Sequence, residues 1–315
     1  MKSIASAPGK IILFGEHFVV HGNPAILAAI DKRVTVTTTF TDNNTIKVNS
    51  QLGTLEVPIS SSYEEVKSEF RPFIFLANKM INSDQNVSGL EITIDSDIPI
   101  GVGLGSSSAC CVAAAASISG LFNKLSREEI INLSIEAEKT IFPDTSGADC
   151  TVCTYGGMIE YPSIEKIGNT FDLNLLIANS MIPHSTKRSV EKVNKFKEND
   201  EDRFSQLCNL ENGLIDEVIV AMKNNDATTL GLKMSENQKY LEEIQVSNDM
   251  LRGMISSLKE ISLGIKITGA GDGGCVIALV KDENMDKVPA LLPKDKECFS
   301  AKIDTKGVVW STIEE

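Results

Sequence analysis

Histidine is scarce in this chain of 315 residues: His17, His21 and His184 are too scattered to suggest a metal triad. They also leave a Ser-His-Asp hydrolase unsupported, since no G-x-S-x-G elbow occurs. Positive charge is short too. Lys and Arg number 30 against 43 Asp and Glu, a formal charge of −13, which disfavours nucleic acid or an anionic membrane as main partner. Anionic substrates would need a locally positive site against that field. No long hydrophobic run exists: residues 109–121, the most apolar stretch, are too few and too rich in Ala and Ser to span a bilayer. The opening residues 1–7 have no signal-peptide core. The seven cysteines form no spaced framework, so a reduced, cytoplasmic protein is expected. Cys150 and Cys153 make a C-x-x-C without a second pair for zinc or a thioredoxin-like context, and are expected to be buried thiols.

What is present reads as an ordinary globular chain, 42% hydrophobic and 23% charged, long enough for two domains. Alternating and β-branched runs predict strands over 3–14, 34–40, 45–48, 55–59 and 90–94, with a helix over 71–82 among them. Helices follow over 107–122 and from Ser126, where Ser126 and Glu129 form a capping box. A strand or hairpin starts after Gly156-Gly157, and another strand covers 173–179. Residues 185–258 are helical in pattern, with the polar stretch 195–203 as a surface connection. Strands return over 265–268, 275–280, 298–303 and 308–313. The pattern is α+β in two halves, with a boundary within 163–172: domains 1–168 and 169–315.

Pro99-Ile100-Gly101-Val102-Gly103-Leu104-Gly105-Ser106-Ser107-Ser108 lies between a strand and an Ala-rich helix. Glycine lets backbone N–H groups approach phosphate oxygens, and a helix start adds unpaired N–H groups and a positive dipole end. The loop lacks the Gly-Lys-Ser/Thr of a Walker A motif, and its alternating glycines are not G-x-G-x-x-G. A tight turn before a packed helix is the plainer alternative.

On a helical wheel of about 100° per residue, Glu138 falls among the apolar positions Ile130, Ile131, Leu133, Ile135, Ala137 and Ile141. An inward carboxylate needs a partner, either a metal ion or a structural Lys or Arg. Asp149 follows a Gly-containing turn that could aim it into a cleft or leave it as a turn residue.

These segments, together with Ala7-Pro8-Gly9-Lys10 running into Gly15-Glu16-His17 and with Lys266-Ile267-Thr268-Gly269-Ala270-Gly271, resemble in order and separation the three signature motifs of the GHMP small-molecule kinases. The first segment, continuing Val19-Val20-His21-Gly22-Asn23-Pro24-Ala25, is most similar to the mevalonate kinase branch. The resemblance implies a two-domain GHMP kinase fold: a ribosomal-protein-S5-like N-terminal domain with a left-handed β-α-β crossover and a ferredoxin-like C-terminal domain. It implies transfer of the ATP γ-phosphoryl group to the 5-hydroxyl of (R)-mevalonate. Pro99, Gly101, Gly103, Leu104, Gly105, Ser106, Ser107 and Ser108 would hold ATP, and Ser107 and Glu138 would hold Mg²⁺. Asp149 would orient the attacking hydroxyl and accept its proton, with Lys10 beside it. Glu16, His17, Thr268, Gly269 and Ala270 would line the substrate end.

Residues 179–187 loosely resemble the family's strand-to-helix substrate segment, while Lys187, Arg188, Lys192 and Lys195 read as a solvated helix face. Family members usually carry Gly where Asp272 stands, so Asp272 is expected to face solvent or a Lys. The resemblance also suggests a homodimer. The alternatives are a sister kinase acting on phosphomevalonate, homoserine or a sugar, and a non-catalytic binding protein of the same fold. A dinucleotide oxidoreductase is a more distant one.

Overall fold

The computed structural model describes all residues except 83–86, 123–124, 169–173, 184–185, 294 and 315. In chain order its elements are β1 (Lys2–Phe14), β2 (Ala25–Phe40), β3 (Thr45–Ser50), β4 (Gly53–Pro58), α1 (Arg71–Ile81), β5 (Leu90–Ser96), α2 (Ser106–Phe122), α3 (Arg127–Lys139) and α4 (Ala148–Tyr155). They continue with β6 (Met158–Tyr161), β7 (Glu165–Lys166), β8 (Leu175–Asn179), α5 (Thr186–Asn199), α6 (Glu201–Lys223), α7 (Ala227–Glu243) and α8 (Asp249–Leu258). The last are β9 (Ser262–Thr268), β10 (Cys275–Val280), α9 (Val288–Leu291), β11 (Glu297–Ala301) and β12 (Val309–Ile313).

Two sheets result. The first runs β12-β1-β2-β5-β3-β4, with β6 beside β2 and β7 beside β6; the second runs β11-β8-β10-β9. β3 and β5 pair in parallel, as a strand–helix–strand connection requires, while the other pairings are antiparallel. Helix α2 is built of Ala, Ser and Cys, and most of it is buried. Its small side chains let it lie against β1 and β2, where Ser117 Oγ meets Thr38 Oγ1 at 2.8 Å.

The sequence expectation for 34–40 captures only half of β2. Residues 25–30, Ala-Ile-Leu-Ala-Ala-Ile, are buried throughout, so they lack the alternation that marks a half-buried strand. The expected connection at 195–203 is instead the end of α5 and the start of α6, hinged at Asp200, whose carboxylate accepts from the Arg203 N–H at 3.0 Å. Its charges lie on the outer faces of two helices. The capping box is present: Glu129 N donates to Ser126 Oγ at 3.3 Å, and Ser126 N donates to Glu129 Oε2 at 2.8 Å.

A single cut between 168 and 169 does not follow the sheets. The chain returns from the second sheet to the first, where β12 pairs antiparallel with β1 from Lys2↔Ile313 to Ser6↔Val309. Arg33 anchors the returning segment through an ion pair with Asp304 and hydrogen bonds of 2.8 Å to the carbonyls of Ser6 and Gly307. The residues directly after the expected boundary, 169–173, lie outside the described ones, as do His184 and Ser185 of the expected substrate segment.

Candidate active site

The first segment bends β1 where it is needed. A proline inside a paired strand belongs at a bulge, and the β1–β2 register shifts between Pro8 and Gly9. There the Lys10 N–H leaves the sheet and donates to the Leu104 carbonyl at 2.9 Å, which fastens the glycine loop to β1. Val102 and Leu104 are buried, while the intervening Gly101, Gly103 and Gly105 take positive φ of 76°, 86° and 71°. At Gly105 the demand is double: a Cβ would stand 2.6 Å from Lys10 Cγ, in a backbone conformation that L side chains resist. The lysine stem therefore runs directly beneath the loop. Pro99 enters the loop, and Ser106, Ser107 and Ser108 form the first turn of α2, whose leading N–H groups are free of helical partners.

Lys10 Nζ lies 3.1 Å from Asp149 Oδ2; the lysine side chain is 6% exposed and the aspartate 33%. Asp149 sits in the first turn of α4, which opens from Gly147 in the left-handed conformation. The pair thus puts a buried cation behind a carboxylate that solvent and substrate can reach.

Glu138 is buried on α3. Its partners are neutral: Ser108 Oγ donates to Oε1, while Thr145 Oγ1 at 2.6 Å and Cys150 Sγ at 3.7 Å donate to Oε2. Among the described residues it forms no ion pair, so neither a structural Lys nor Arg is its partner. Ser108, rather than the expected Ser107, touches it. Cys150 and Cys153 are buried free thiols, as expected, and burial pushes both well above the usual thiol range.

The third segment folds over the first. The Thr268 hydroxyl donates to the Ile12 carbonyl at 2.8 Å and accepts the Ile12 N–H at 3.1 Å. The hydroxyl thus stitches β9 to β1. Beyond it Gly269 approaches the second segment, with its Cβ position 3.8 Å from the Gly103 carbonyl oxygen. The Ala270 carbonyl lies 2.9 Å from His17 Nε2. Burial pushes His17 down to about 4, so the ring is neutral at pH 7 and donates this bond. Glu16 is buried and ion-paired with Lys266. Burial pushes the Glu16 carboxyl up and the Lys266 ammonium down, and each charge opposes that trend in the other.

Asp272 faces Lys192 at 2.9 Å and Arg188 at 3.2 Å, meeting the expectation that it turns to a Lys. Lys187, Arg188 and Lys195 are exposed, as a solvated face requires, and two of the four cations, Arg188 and Lys192, also pair with the third loop. Sequence reasoning also missed Lys266, Glu211 and Asn237. Glu211 is fully buried on α6 and accepts from Asn237 Nδ2 at 2.8 and 2.7 Å.

Segments 8–17, 99–108, 138–149 and 268–272 thus converge. The family model for the GHMP kinase N-terminal domain matches residues 72–157, and that for the GHMP kinase C-terminal region matches 218–290. A mevalonate kinase of Thermococcus sibiricus is 34% identical over 98% of this chain and 98% of its own. The chain belongs to the mevalonate kinase family. Solved members agree with the fold. The Methanococcus jannaschii mevalonate kinase superposes with a TM-score of 0.84 at 29% identity, covering 95% of this chain and 98% of that one. The L. major mevalonate kinase, crystallised with R-mevalonate, gives 0.83 at 25% identity over 95% of each. Membership of the mevalonate kinase family brings with it the two-domain α+β architecture, so the oxidoreductase alternative falls.

Proposed function

We propose that the cleft beside the glycine loop transfers the γ-phosphoryl group of ATP to the 5-hydroxyl of (R)-mevalonate, giving 5-phosphomevalonate and ADP. The observation that carries the mechanism is the Lys10–Asp149 pair at 3.1 Å, with the glycine loop wrapped over the lysine stem. Phosphoryl transfer passes through a loose transition state, so catalysis is mostly positioning and neutralisation of charge. Residues 99–108 cradle the triphosphate with backbone N–H groups and the start of α2. Asp149 orients the acceptor hydroxyl and takes its proton as the new P–O bond forms. Lys10 holds Asp149 in place and offsets charge on the transferred group. Glu16, His17 and the 269–270 backbone border the acceptor.

ATP is the co-substrate, and Mg²⁺ fits the donor set. Magnesium is commonly held by one or two carboxylates together with substrate phosphates. Glu138 offers one buried carboxylate with only hydroxyl and thiol partners, beside Ser107 and Ser108. Bound there, the ion would neutralise phosphate charge. The same reading makes the chain a homodimer acting in the cytoplasm. The free state of all seven thiols suits a reducing compartment, and no helix among the described residues is long and apolar enough to cross a membrane. Sedimentation would give the oligomeric state.

A sister kinase for phosphomevalonate, homoserine or a sugar is not favoured, because relatives matched over nearly the whole chain are mevalonate kinases. The deciding experiment measures ADP release with Mg-ATP and, in parallel, mevalonate, phosphomevalonate, homoserine or galactose. Turnover with mevalonate alone is the expected result. Turnover with another acceptor overturns the substrate, and none with any of them overturns the kinase reading.

A further inference from the structure

The turn carrying Glu16 and His17 is not held by its own half of the chain alone, where the Val19 N–H donates to the Gly15 carbonyl at 3.0 Å. Its backbone is costly: His17 has φ +65°, a left-handed conformation for a non-glycine residue, after Gly15 at φ +94°. A Cβ at Gly15 would meet the Pro24 carbonyl oxygen at 2.5 Å. What else holds the turn is one face of α6 together with β9. Phe204 stacks on Phe18 with ring centroids 6.0 Å apart. Asn23 Nδ2 donates to the Cys208 carbonyl at 2.6 Å and to Asn212 Oδ1 at 2.8 Å. The Glu16 charge and the Gly15 N–H both act on the Glu211 carboxyl, and Lys266 pairs with Glu16. Positions 204, 208, 211 and 212 recur at helical spacing, so α6 presents them to the turn as one stripe.

The polar centre of this clamp is closed off from the surface. Glu16, Lys266, Glu211 and Asn237 are all buried. Apolar residues would fill such a volume at no loss of stability, so stability alone does not explain two carboxylates and an ammonium here. Two oxygens here, Glu16 Oε2 and Asn237 Oδ1, are buried without a hydrogen-bond partner.

We propose that Glu211 and Lys266 are positioning residues for the phosphoryl acceptor: they clamp the Gly15–His17 turn from the second half of the chain and so set affinity for the acceptor alcohol while leaving ATP binding unchanged. The inference rests on the reading above, in which Glu16 and His17 border the acceptor.

Glu211 is faced by Glu16 of the turn, Lys266 of β9, Asn237 and Tyr240 of α7, and Cys208 of its own helix. Burial and the Glu16 charge push its carboxyl up to about 7. Ionisation strengthens the N–H bond at Gly15 but sets a second negative charge against Glu16, which is the larger effect, so the clamp loosens as pH rises through about 7. His17, pushed down to about 4, stays neutral over that range.

The test measures KM for mevalonate and for ATP between pH 6 and 8 in the wild-type chain, Glu211→Ala and Glu211→Gln. Glu211→Ala is expected to raise the mevalonate KM about tenfold and leave the ATP KM within about twofold, as loss of one buried charge-assisted contact implies. Glu211→Gln keeps an oxygen for the Gly15 N–H and restores most of the affinity. It also abolishes the rise in mevalonate KM that the wild type shows as pH rises through about 7. Equal rises in both constants, or no rise in Glu211→Ala, overturn the proposal. If Glu211→Ala does not fold, the Glu211→Gln profile decides, and a profile superimposable on the wild type overturns it. Wild-type protein that turns over no mevalonate removes the functional reading and this inference together. Wild-type turnover with unaffected variants removes the inference alone.

Discussion

The nucleotide end and the acceptor end of the site are built on opposite plans. At the nucleotide end one continuous loop, residues 99–108, supplies backbone N–H groups, and the charged pair beneath it is open on the Asp149 side. At the acceptor end the contacts come from segments up to 253 residues apart, and the titratable groups are sealed from solvent. The first plan relies on backbone geometry, which a glycine pattern fixes locally. The second relies on side chains that are costly to bury and become worthwhile only as a complete set.

Four substitutions test that contrast, beginning with the largest effect. Asp149→Asn should lower turnover about a thousandfold while Mg-ATP still raises the melting temperature; near-normal ADP release by this variant would remove Asp149 from the mechanism. Gly105→Ala should lower kcat/KM for ATP by about ten- to a hundredfold, because the new methyl displaces Lys10. If its steady-state kinetics match the wild type, the loop does not depend on that close approach.

Glu211→Gln should instead reveal itself in stability. The Glu211 carboxyl is held near 7 in the fold against 4.5 for the free group. The native state therefore resists ionising it, and the wild type loses stability as pH rises from about 4.5 to 7. Removing the charge should shift the balance toward the variant by on the order of 2 kcal/mol between pH 5 and 8. Melting curves at both pH values check this, and a pH-independent gap would refute it. The smallest effect belongs to Asp272→Asn. Asparagine tolerates the φ of +57° at this position, so only charge is lost. The partly exposed pairs with Arg188 and Lys192 are each worth under about 1 kcal/mol. Activity should change by less than about threefold at low salt and not at all at high salt, as paired assays will show.

The same division explains what could be read in the sequence. The alternating glycines of 101–105, the Lys10 and Asp149 positions and the capping box at Ser126 are local or motif-bound, and each was visible in the order of residues. Glu138 stood out because a carboxylate on an apolar helix face demands an explanation. Glu211 carried that same signal, set among Phe204, Leu207, Leu214, Ile215 and Val218 on α6, and the wheel argument applied to Glu138 marks it equally well. Lys266 is flagged too, a charge inside the apolar strand 265–267. Its pairing with Glu16 was not legible, since no local pattern joins residues 250 apart. Thr268 was read as a ligand contact because its motif resembles one. Only the folded chain reveals that its hydroxyl is taken by Ile12.

The return of β12 to β1 has a consequence for synthesis. Translation proceeds from the N-terminus, so β1 is made well before its final neighbour, residues 309–313. Throughout elongation that side of β1 is an open ribbon of unpaired amides, the kind of surface that recruits foreign strands. The first sheet can therefore close only once residues 309–313 have been made and have left the ribosome.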